Sequence, residues 1–205
     1  MWLDTHCHLD APEFLSDIES IVERAKHAGV AGILLPAVRA QDFEAVQEIT
    51  HRFKHEIPYL VYTLGIHPLY TDRASESDLK TLETEVVNAK NDPHFVGIGE
   101  IGLDYFVAEL DPHRQAFFFH AQLDLAQQYQ LPVILHVRRS QDMILKALRQ
   151  RTISGGIAHA FNGSFQQAQQ FIDLGFKLGF GGAATYERAL QIRRLIQELP
   201  MDAIV

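Results

Sequence analysis

Short apolar runs alternate with longer amphipathic segments along the whole chain. The runs are Trp2–Leu3, Ile33–Leu35, Tyr59–Leu64, Phe95–Ile98, Pro132–Leu135, Gly156–Ala158 and Phe176–Phe180. Their length and aliphatic content are typical of buried strands in a parallel sheet. An eighth run, Ala203-Ile204-Val205, begins where the sequence stops.

The segments between the runs have the period and the end signals of helices. Ile18, Ile21, Val22, Ala25 and Ala28 recur at helical spacing, and Gly29 follows as a stop signal. Asp111-Pro112 predicts an N-cap and a first helical residue, while Ser140 and Ser164 predict two further caps.

Regular alternation of strand and helix predicts an α/β protein with a parallel sheet. Seven units and the start of an eighth favour a TIM-type (β/α)8 barrel over an open doubly wound sheet. Such barrels typically have about 250 residues. For a chain of 205 residues we therefore expect one barrel domain over residues 1–205 that lacks most of its eighth βα unit.

Composition narrows the range of partners. Hydrophobic residues make up 47% of the chain, which is enough for a sizeable core. The formal charge of −8 argues against broad binding along duplex DNA, although a local cleft for a strand end remains compatible with it. A single cysteine, no signal-peptide pattern at the N-terminus and no membrane-length apolar stretch predict a cytoplasmic protein without a membrane partner.

Histidines and one glutamate stand at or after the ends of predicted strands. In an extended segment His6 and His8 would point to the same side. Glu100, His136 and His159 follow the fourth, fifth and sixth apolar runs. Because barrel active sites lie at the C-terminal ends of strands, we expect all five side chains to meet at one rim.

This set predicts a centre for two divalent metal ions, with Zn, Mg and Mn as the candidates. A buried glutamate needs a cation or several donors, and five ligands exceed what one tetrahedral ion takes. Glu100 could bridge two ions, and such pairs stabilise the attacking and leaving oxygens in hydrolysis, especially of phosphodiesters. The alternative is that these residues are hydrogen-bonded core histidines.

One motif is interpreted as a decoy. Gly97-Ile98-Gly99-Glu100-Ile101-Gly102 matches the G-x-G-x-x-G pattern of dinucleotide-binding folds, in which a helix opens directly at the motif. Here loop residues from Leu103-Asp104-Tyr105 onward are expected before Asp111-Pro112, and a carboxylate inside the loop would repel phosphate. We therefore predict no nucleotide cofactor.

Further residues near the predicted rim have two open interpretations each. His67 could help catalysis or fix its own turn, and Arg138 could bind substrate phosphate or pair with Asp104. Asp104 could also orient a ligand histidine. Tyr105 and Phe161 could stack on a base, with core packing the alternative for Phe161.

The remaining histidines are expected at the surface: His27, His51, His55, His94, His113 and His120. Cys7 is expected to pack in the core.

The motifs resemble those of the TatD family of metal-dependent hydrolases, which are amidohydrolase-like barrels. The matching segments are Asp4–Asp10, Gly65–Pro68, Gly99–Tyr105, Leu131–Arg138, Ala158–Phe161 and the helix containing Gln115 and Gln122. The resemblance implies a TIM-type barrel and divalent-metal hydrolysis. It also implies that His6 and His8 hold one ion, that His136 and His159 hold the other, and that Glu100 bridges them.

Family members are described as deoxyribonucleases, often 3′–5′ exonucleases on single strands, so DNA is the expected substrate. The family also places a metal-binding Asp after the eighth strand, beyond Val205 of this sequence. Without it we expect weaker binding of the His6/His8 ion and loss of general-base assistance of about 10²–10⁴-fold. Two alternatives stay open: an amide or ester hydrolase of the amidohydrolase type, and a metal-binding barrel without turnover.

Overall fold

Seven parallel strands form one sheet, and each strand pairs with the next along the chain. The computed structural model describes all residues from 1 to 205. The strands are β1 Trp2–Asp4, β2 Val30–Pro36, β3 Tyr59–Leu64, β4 Phe95–Asp104, β5 Val133–Arg138, β6 Gly156–His159 and β7 Phe176–Leu178. Helices connect the strands, so the TIM-type α/β fold predicted from the alternation is confirmed.

Eight α-helices lie between and after the strands. They are α1 Pro12–Leu15, α2 Ile18–His27, α3 Phe43–Phe53, α4 Glu76–Ala89, α5 Pro112–Tyr129, α6 Gln141–Leu148, α7 Phe165–Asp173 and α8 Leu190–Glu198. Short 3-10 helices span Ala40–Asp42, Pro68–Tyr70, Gly182–Thr185 and Met201–Ala203. None of the helices is both long and apolar enough to cross a membrane.

Two of the predicted helix caps form, and one does not. The Asp111 side chain accepts a hydrogen bond from the backbone N–H of His113, and Ser164 makes a capping box with Gln167. The Ser140 hydroxyl instead donates to the carbonyl of Leu103 at 2.6 Å, so it ties α6 to β4 rather than capping the helix.

Strand β4 is longer than predicted, and Leu103 and Asp104 belong to it rather than to a loop. Its second half continues the ladder with β5, from Ile101 opposite Leu135 to Asp104 opposite Arg138. The glycine-rich sequence concealed this extension because glycine disfavours strands. At Gly102, which has a φ of +149°, a Cβ atom would lie 2.0 Å from the carbonyl oxygen of His136, so only glycine fits.

The eighth apolar run does not form a full strand in this chain. Ile204 makes one isolated parallel bridge with Leu178 of β7, directly after the 3-10 helix Met201–Ala203. The apolar core lies between the sheet and the surrounding helices, and it includes Leu35, Leu64 and Leu135, none of which is exposed to solvent.

Candidate metal centre

Glu100 of β4 is the centre of a buried cluster of imidazoles. Only 2% of the surface of Glu100 is exposed to solvent. One carboxylate oxygen, Oε2, lies 3.1 Å from His6 Nε2 and 3.5 Å from His8 Nε2. The other, Oε1, lies 3.1 Å from His136 Nδ1 and 3.5 Å from His67 Nε2. No Lys or Arg forms an ion pair with this carboxylate, so its charge is balanced only if a cation or a protonated imidazole is present.

His6 and His8 come together, although not for the reason that the sequence suggested. Strand β1 ends at Asp4, so both histidines lie in the loop that follows it. The loop is fixed because the backbone N–H of His6 donates to the Asp4 carboxylate and that of Cys7 donates to the Leu34 carbonyl. The two Nε2 atoms are 3.2 Å apart beside Glu100. A hydrogen-bonded loop therefore replaces the expected alternation of a strand.

The side chain of Cys7 lies away from this cluster, as its position predicted. It is partly buried and packs against the hydrophobic core. Burial raises the pKa of its thiol to about 11, and the nearby carboxylates of Asp4 and Asp10 add to the effect. A protonated thiol is a poor metal ligand and a poor nucleophile.

His136 of β5 is held by two carboxylates at once. Its Nδ1 faces Glu100 and its Nε2 lies 2.9 Å from Asp104 Oδ2. Burial opposes the charged imidazole, but Glu100 and then Asp104 outweigh it and raise the pKa of His136. Asp104 also accepts from the backbone N–H groups of Phe106 and Val107. Because a carboxylate only accepts, Asp104 favours the tautomer with the proton on Nε2, which leaves the Nδ1 lone pair directed at the centre.

His159 of β6 is the fourth imidazole predicted as a ligand. It pairs in register with His136 on the neighbouring strand. Its ring stacks on that of His6, with centroids 3.5 Å apart and planes at 11°. Burial, reinforced by His6, lowers the pKa of His159 to about 4, so the ring is neutral near pH 7, which is the form that binds metals. Its nitrogens form no direct hydrogen bond with Glu100 or His136.

His67 lies closer to the centre than the sequence indicated. Its Nε2 is 3.0 Å from His136 Nδ1, and its Nδ1 accepts a hydrogen bond from the backbone N–H of Leu69 at the start of the following 3-10 helix. His67 thus fixes its own turn and also faces the centre. A neutral imidazole that accepts at Nδ1 carries its proton on Nε2, so His67 presents a donor to the centre rather than a ligand lone pair. Burial lowers the pKa of His67, which favours this neutral form.

The donor set fits divalent cations. Imidazole nitrogens and a carboxylate form two groups of the right proximity, His6–His8–Glu100 and His67–Glu100–His136, which share the glutamate. In the first group the Nε2 atoms of His6 and His8 approach to 3.2 Å, an arrangement that a cation would stabilise. In the second group the 3.0 Å contact is a hydrogen bond from His67 Nε2–H to His136 Nδ1.

The centre opens into a cavity of about 1080 Å³ whose lining carries charges of both signs: Arg39, Arg138 and Arg139 beside Asp10, Glu13, Asp42 and Glu100. Arg138 extends from β5, half exposed, with its Nη1 3.8 Å from Asp104 Oδ2. Its guanidinium lies 3.8 Å from the ring centroid of Phe106, and that of Arg139 lies 4.6 Å from the same ring. Arg138 thus makes an ion pair with Asp104 at long range, one of its two predicted roles, and also lines the cavity.

Neither aromatic residue proposed for base stacking is suitably placed, but a third one is. Phe161 is buried against Phe171, and Tyr105 is partly buried against the core. Phe106, which the sequence did not single out, lines the cavity and is 47% exposed. Both residues lie in the loop after β4, where strand alternation does not apply, so the sequence pattern carries no signal for Phe106.

Two buried glutamines of α5 hold the strand ends around the centre. The Gln122 side-chain amide accepts from the N–H of Ile66 and donates to its carbonyl, at 2.7 and 3.0 Å. Gln115 makes the same two bonds with the backbone of Asp104, at 2.8 and 2.9 Å. These brackets fix the backbone next to His67 and at the residue that orients His136.

Comparison with known proteins relates this geometry to one family. A model described as "TatD related DNase" matches residues 3–205. An uncharacterized metal-dependent hydrolase of Haemophilus influenzae is 39% identical across the whole chain, which spans 79% of that relative. The 3′-5′ ssDNA/RNA exonuclease TatD of Erwinia billingiae is 30% identical over 98% of the chain and 76% of its own length. The crystal structure of Escherichia coli YjjV, a TatD homologue, superimposes with a TM-score of 0.90 at 37% identity, covering the whole chain and 77% of YjjV.

Proposed function

Because the chain belongs to the TatD related DNase family, we propose that it is a divalent-metal-dependent phosphodiesterase that acts on single-stranded DNA. The observation that carries the proposal is Glu100, a buried carboxylate whose side-chain contacts are imidazoles. The exonuclease names of relatives such as that from Erwinia billingiae support a nucleic acid substrate and a 3′–5′ direction.

The proposed metal ligands are those expected from the sequence. Glu100 would be shared by two ions, of which His6 and His8 would hold one and His136 and His159 the other. The candidates are Zn, Mn and Mg. When bound, such ions supply Lewis-acid activation of water and of the phosphoryl group.

The protein's own groups prepare the substrate for this chemistry. In the proposal, the Nε2–H of His67 donates a hydrogen bond to a phosphoryl oxygen at the centre. The guanidinium of Arg138 binds a phosphate of the strand and holds it at the rim, since planar guanidinium donors match phosphate oxygens. Asp104 keeps the Nδ1 lone pair of His136 directed inward throughout.

A nucleic acid is favoured over a small amide or ester by the rim. Phe106 with Arg138 and Arg139 combines an aromatic face with two cations, the combination with which proteins hold successive bases and phosphates of a single strand. The overall charge of −8 makes these two cations the more selective feature, because little of the remaining surface would attract DNA.

The test is cleavage of single-stranded DNA labelled at either end, after metal removal and re-addition of Mn²⁺, Mg²⁺ or Zn²⁺. We expect metal-dependent shortening from the 3′ end. Absence of shortening with every metal, together with cleavage of an amide or ester panel, would reject the phosphodiesterase proposal.

A second arm tests the rim. Phe106→Ala should reduce kcat/KM for an oligonucleotide by about 10-fold or more, since stacking contributes about 1–3 kcal/mol per base. The loss should be much smaller with bis(p-nitrophenyl) phosphate, which carries no adjoining nucleotide. Phe117→Ala removes an equally exposed ring that is outside the cavity and serves as the control. Equal losses for both substrates would contradict a role in strand binding.

A further inference from the structure

A second cluster of metal-ligand side chains lies at the opposite end of the barrel. It contains His51 of α3, together with Asp92 and His94, which precede β4. From this geometry we propose that His51, Asp92 and His94 bind one zinc ion that is separate from the Glu100 centre.

The cluster is spatially distinct from the catalytic rim. His94 precedes the first residue of β4, whereas Glu100 lies six positions further along that strand, a distance of about 20 Å at 3.3 Å per residue. The cluster therefore belongs to the end of the barrel that normally serves stability rather than catalysis.

The donor atoms are close enough to share an ion. One ligand atom from each residue lies within 4.8 Å of the others. His51 Nε2 and Asp92 Oδ2 are 2.8 Å apart. Zinc with bonds of about 2.0–2.1 Å and tetrahedral angles separates its ligands by about 3.3 Å. Binding thus requires His51 and Asp92 to separate by roughly half an ångström, which the position of His51 on an exposed helix face permits, and the ligand atom of His94 to close in from a separation of up to 4.8 Å.

The groups around the cluster orient its ligands as in protein zinc sites. His94 Nδ1 lies 2.8 Å from the carbonyl oxygen of Leu60. This carbonyl can only accept, so it places the proton on Nδ1 and leaves the Nε2 lone pair free. The Tyr62 hydroxyl donates to Asp92 Oδ2 at 2.8 Å, and the backbone N–H of His94 donates to Oδ1 at 3.0 Å. A backbone carbonyl behind a histidine and donors behind a carboxylate are the usual supports of ligands.

Solvent access completes the site. The side chain of His51 is 43% exposed, while that of Asp92 is 16% exposed, so an ion can enter from one side and water can take the fourth position. Two imidazoles and one carboxylate suit zinc better than magnesium or calcium, which prefer oxygen ligands. The sequence pattern predicted that His51 and His94 are unrelated surface residues. His51 is exposed, whereas His94 is partly buried and its ring is hydrogen-bonded to the Leu60 carbonyl of β3.

The competing interpretation is a hydrogen-bond network that needs no ion. Zinc content after equilibrium dialysis of the full chain against micromolar Zn²⁺ distinguishes the two. We expect His51→Gln to bind one zinc fewer than the wild-type protein. His55→Gln, an exposed histidine just beyond α3, should match the wild type. Equal zinc content in His51→Gln and wild type would overturn the proposal.

Two further measurements keep the result independent of the Glu100 centre and of folding. In a His6→Gln/His8→Gln background, the loss on adding His51→Gln should persist, because the two sites share no ligand. In the wild-type protein, Zn²⁺ should shift the imidazole NMR signals of His51 and His94. Unchanged signals at saturating zinc would also reject the site, whatever the stability of the variants. Failure of DNA cleavage would reject the proposed function without affecting either result.

Discussion

Glu100 and Asp92 are the focal carboxylates at the two ends of the barrel, and their surroundings differ in kind. Glu100 is fully buried, and all of its side-chain partners are imidazoles, whose donor capacity depends on protonation. Asp92 is only partly buried, and it accepts from a backbone N–H and from a tyrosine hydroxyl as well as from His51. The backbone N–H and the tyrosine hydroxyl are donors at any pH near neutrality.

This difference determines how each carboxylate affects the stability of the metal-free protein. Asp92 is satisfied by fixed donors, so it can stabilise the metal-free protein. Glu100 lacks fixed donors. Its negative charge in the core is balanced by bound cations or by protonated imidazoles such as His136, whose pKa it raises, so where the imidazoles are neutral it stabilises the protein only when cations are bound. Variants at the two carboxylates should therefore change activity and stability in opposite proportions.

The largest effect is expected for Glu100→Gln. Loss of the bridging carboxylate should lower metal-dependent cleavage by about 10³-fold or more, because metal activation contributes several kcal/mol and 1.36 kcal/mol equals tenfold. At a pH above the pKa values of the neighbouring imidazoles, the unfolding free energy of the metal-free variant should equal or exceed that of the metal-free wild type, as measured by urea denaturation. Glu109→Gln, at an exposed glutamate, is the control. A clear loss of metal-free stability would contradict the comparison.

A smaller effect is expected for Asp104→Asn, which removes the carboxylate behind His136. Groups in this position typically contribute 10–100-fold to metal affinity or activity, so titration with Zn²⁺ should show weaker binding by about that factor. Raising the metal concentration should restore much of the activity. Asp72→Asn, at an exposed aspartate, should bind as the wild type does. Unaltered affinity in Asp104→Asn would show that His136 does not depend on this bond.

Asp92→Asn should show the reverse pattern. It weakens the acceptor for the Tyr62 hydroxyl and for His51, so the unfolding free energy of the metal-free protein should fall by about 1–2 kcal/mol. Cleavage of DNA should stay within about twofold of wild type, since this end is about 20 Å from Glu100 along β4. Chemical denaturation in chelator measures the first quantity. A loss of activity larger than the loss of folded protein would contradict the separation of the two ends.

The smallest effect is expected for His120 of α5, a histidine that belongs to neither cluster. It shows how much a single partly buried imidazole contributes to the pH dependence of stability. Partial burial, aided by Arg151, lowers the pKa of His120, while Asp124 opposes the shift. A folded-state pKa below the unfolded value contributes stability above the unfolded pKa, and this is lost as pH falls through the folded pKa.

His120→Gln should therefore lose less thermal stability than wild type between pH 7 and pH 5. The difference should be only about 1–2 °C, because solvent screens a partly exposed ring. His113→Gln, at an exposed histidine of the same helix, should follow the wild-type curve. A steeper acid loss in His120→Gln would reverse the assigned sign.

The sequence predicted the fold because each buried run and each helix has its own local signal. The convergence of Glu100, His136 and His159 followed from the rule that barrel strands end at one rim. The loop that carries His6 and His8, the strand character of Leu103 and the donor role of His67 depend on tertiary hydrogen bonds. Such bonds join residues far apart in sequence, and residue spacing does not encode them.

The cluster at Asp92 was missed for a related reason. His51 belongs to a helix and His94 to a turn more than 40 positions away, so neither occupies a strand end. Phe106 was passed over because its neighbour Tyr105 belongs to a recognised motif, although exposure distinguishes the two.

The hydrogen bonds of Gln115 and Gln122 make the spacing of the strand ends at the rim depend on α5. Gln115 and Gln122 are seven residues apart, which is about 10.5 Å along a helix at 1.5 Å per residue. Inserting or deleting a single residue between them would rotate one side-chain amide by about 100° about the helix axis. That amide would then lose its two hydrogen bonds to the backbone of Asp104 or Ile66. Grafting these histidines onto another barrel would therefore also require a helix equivalent to α5, with its two glutamines at the same rotational positions.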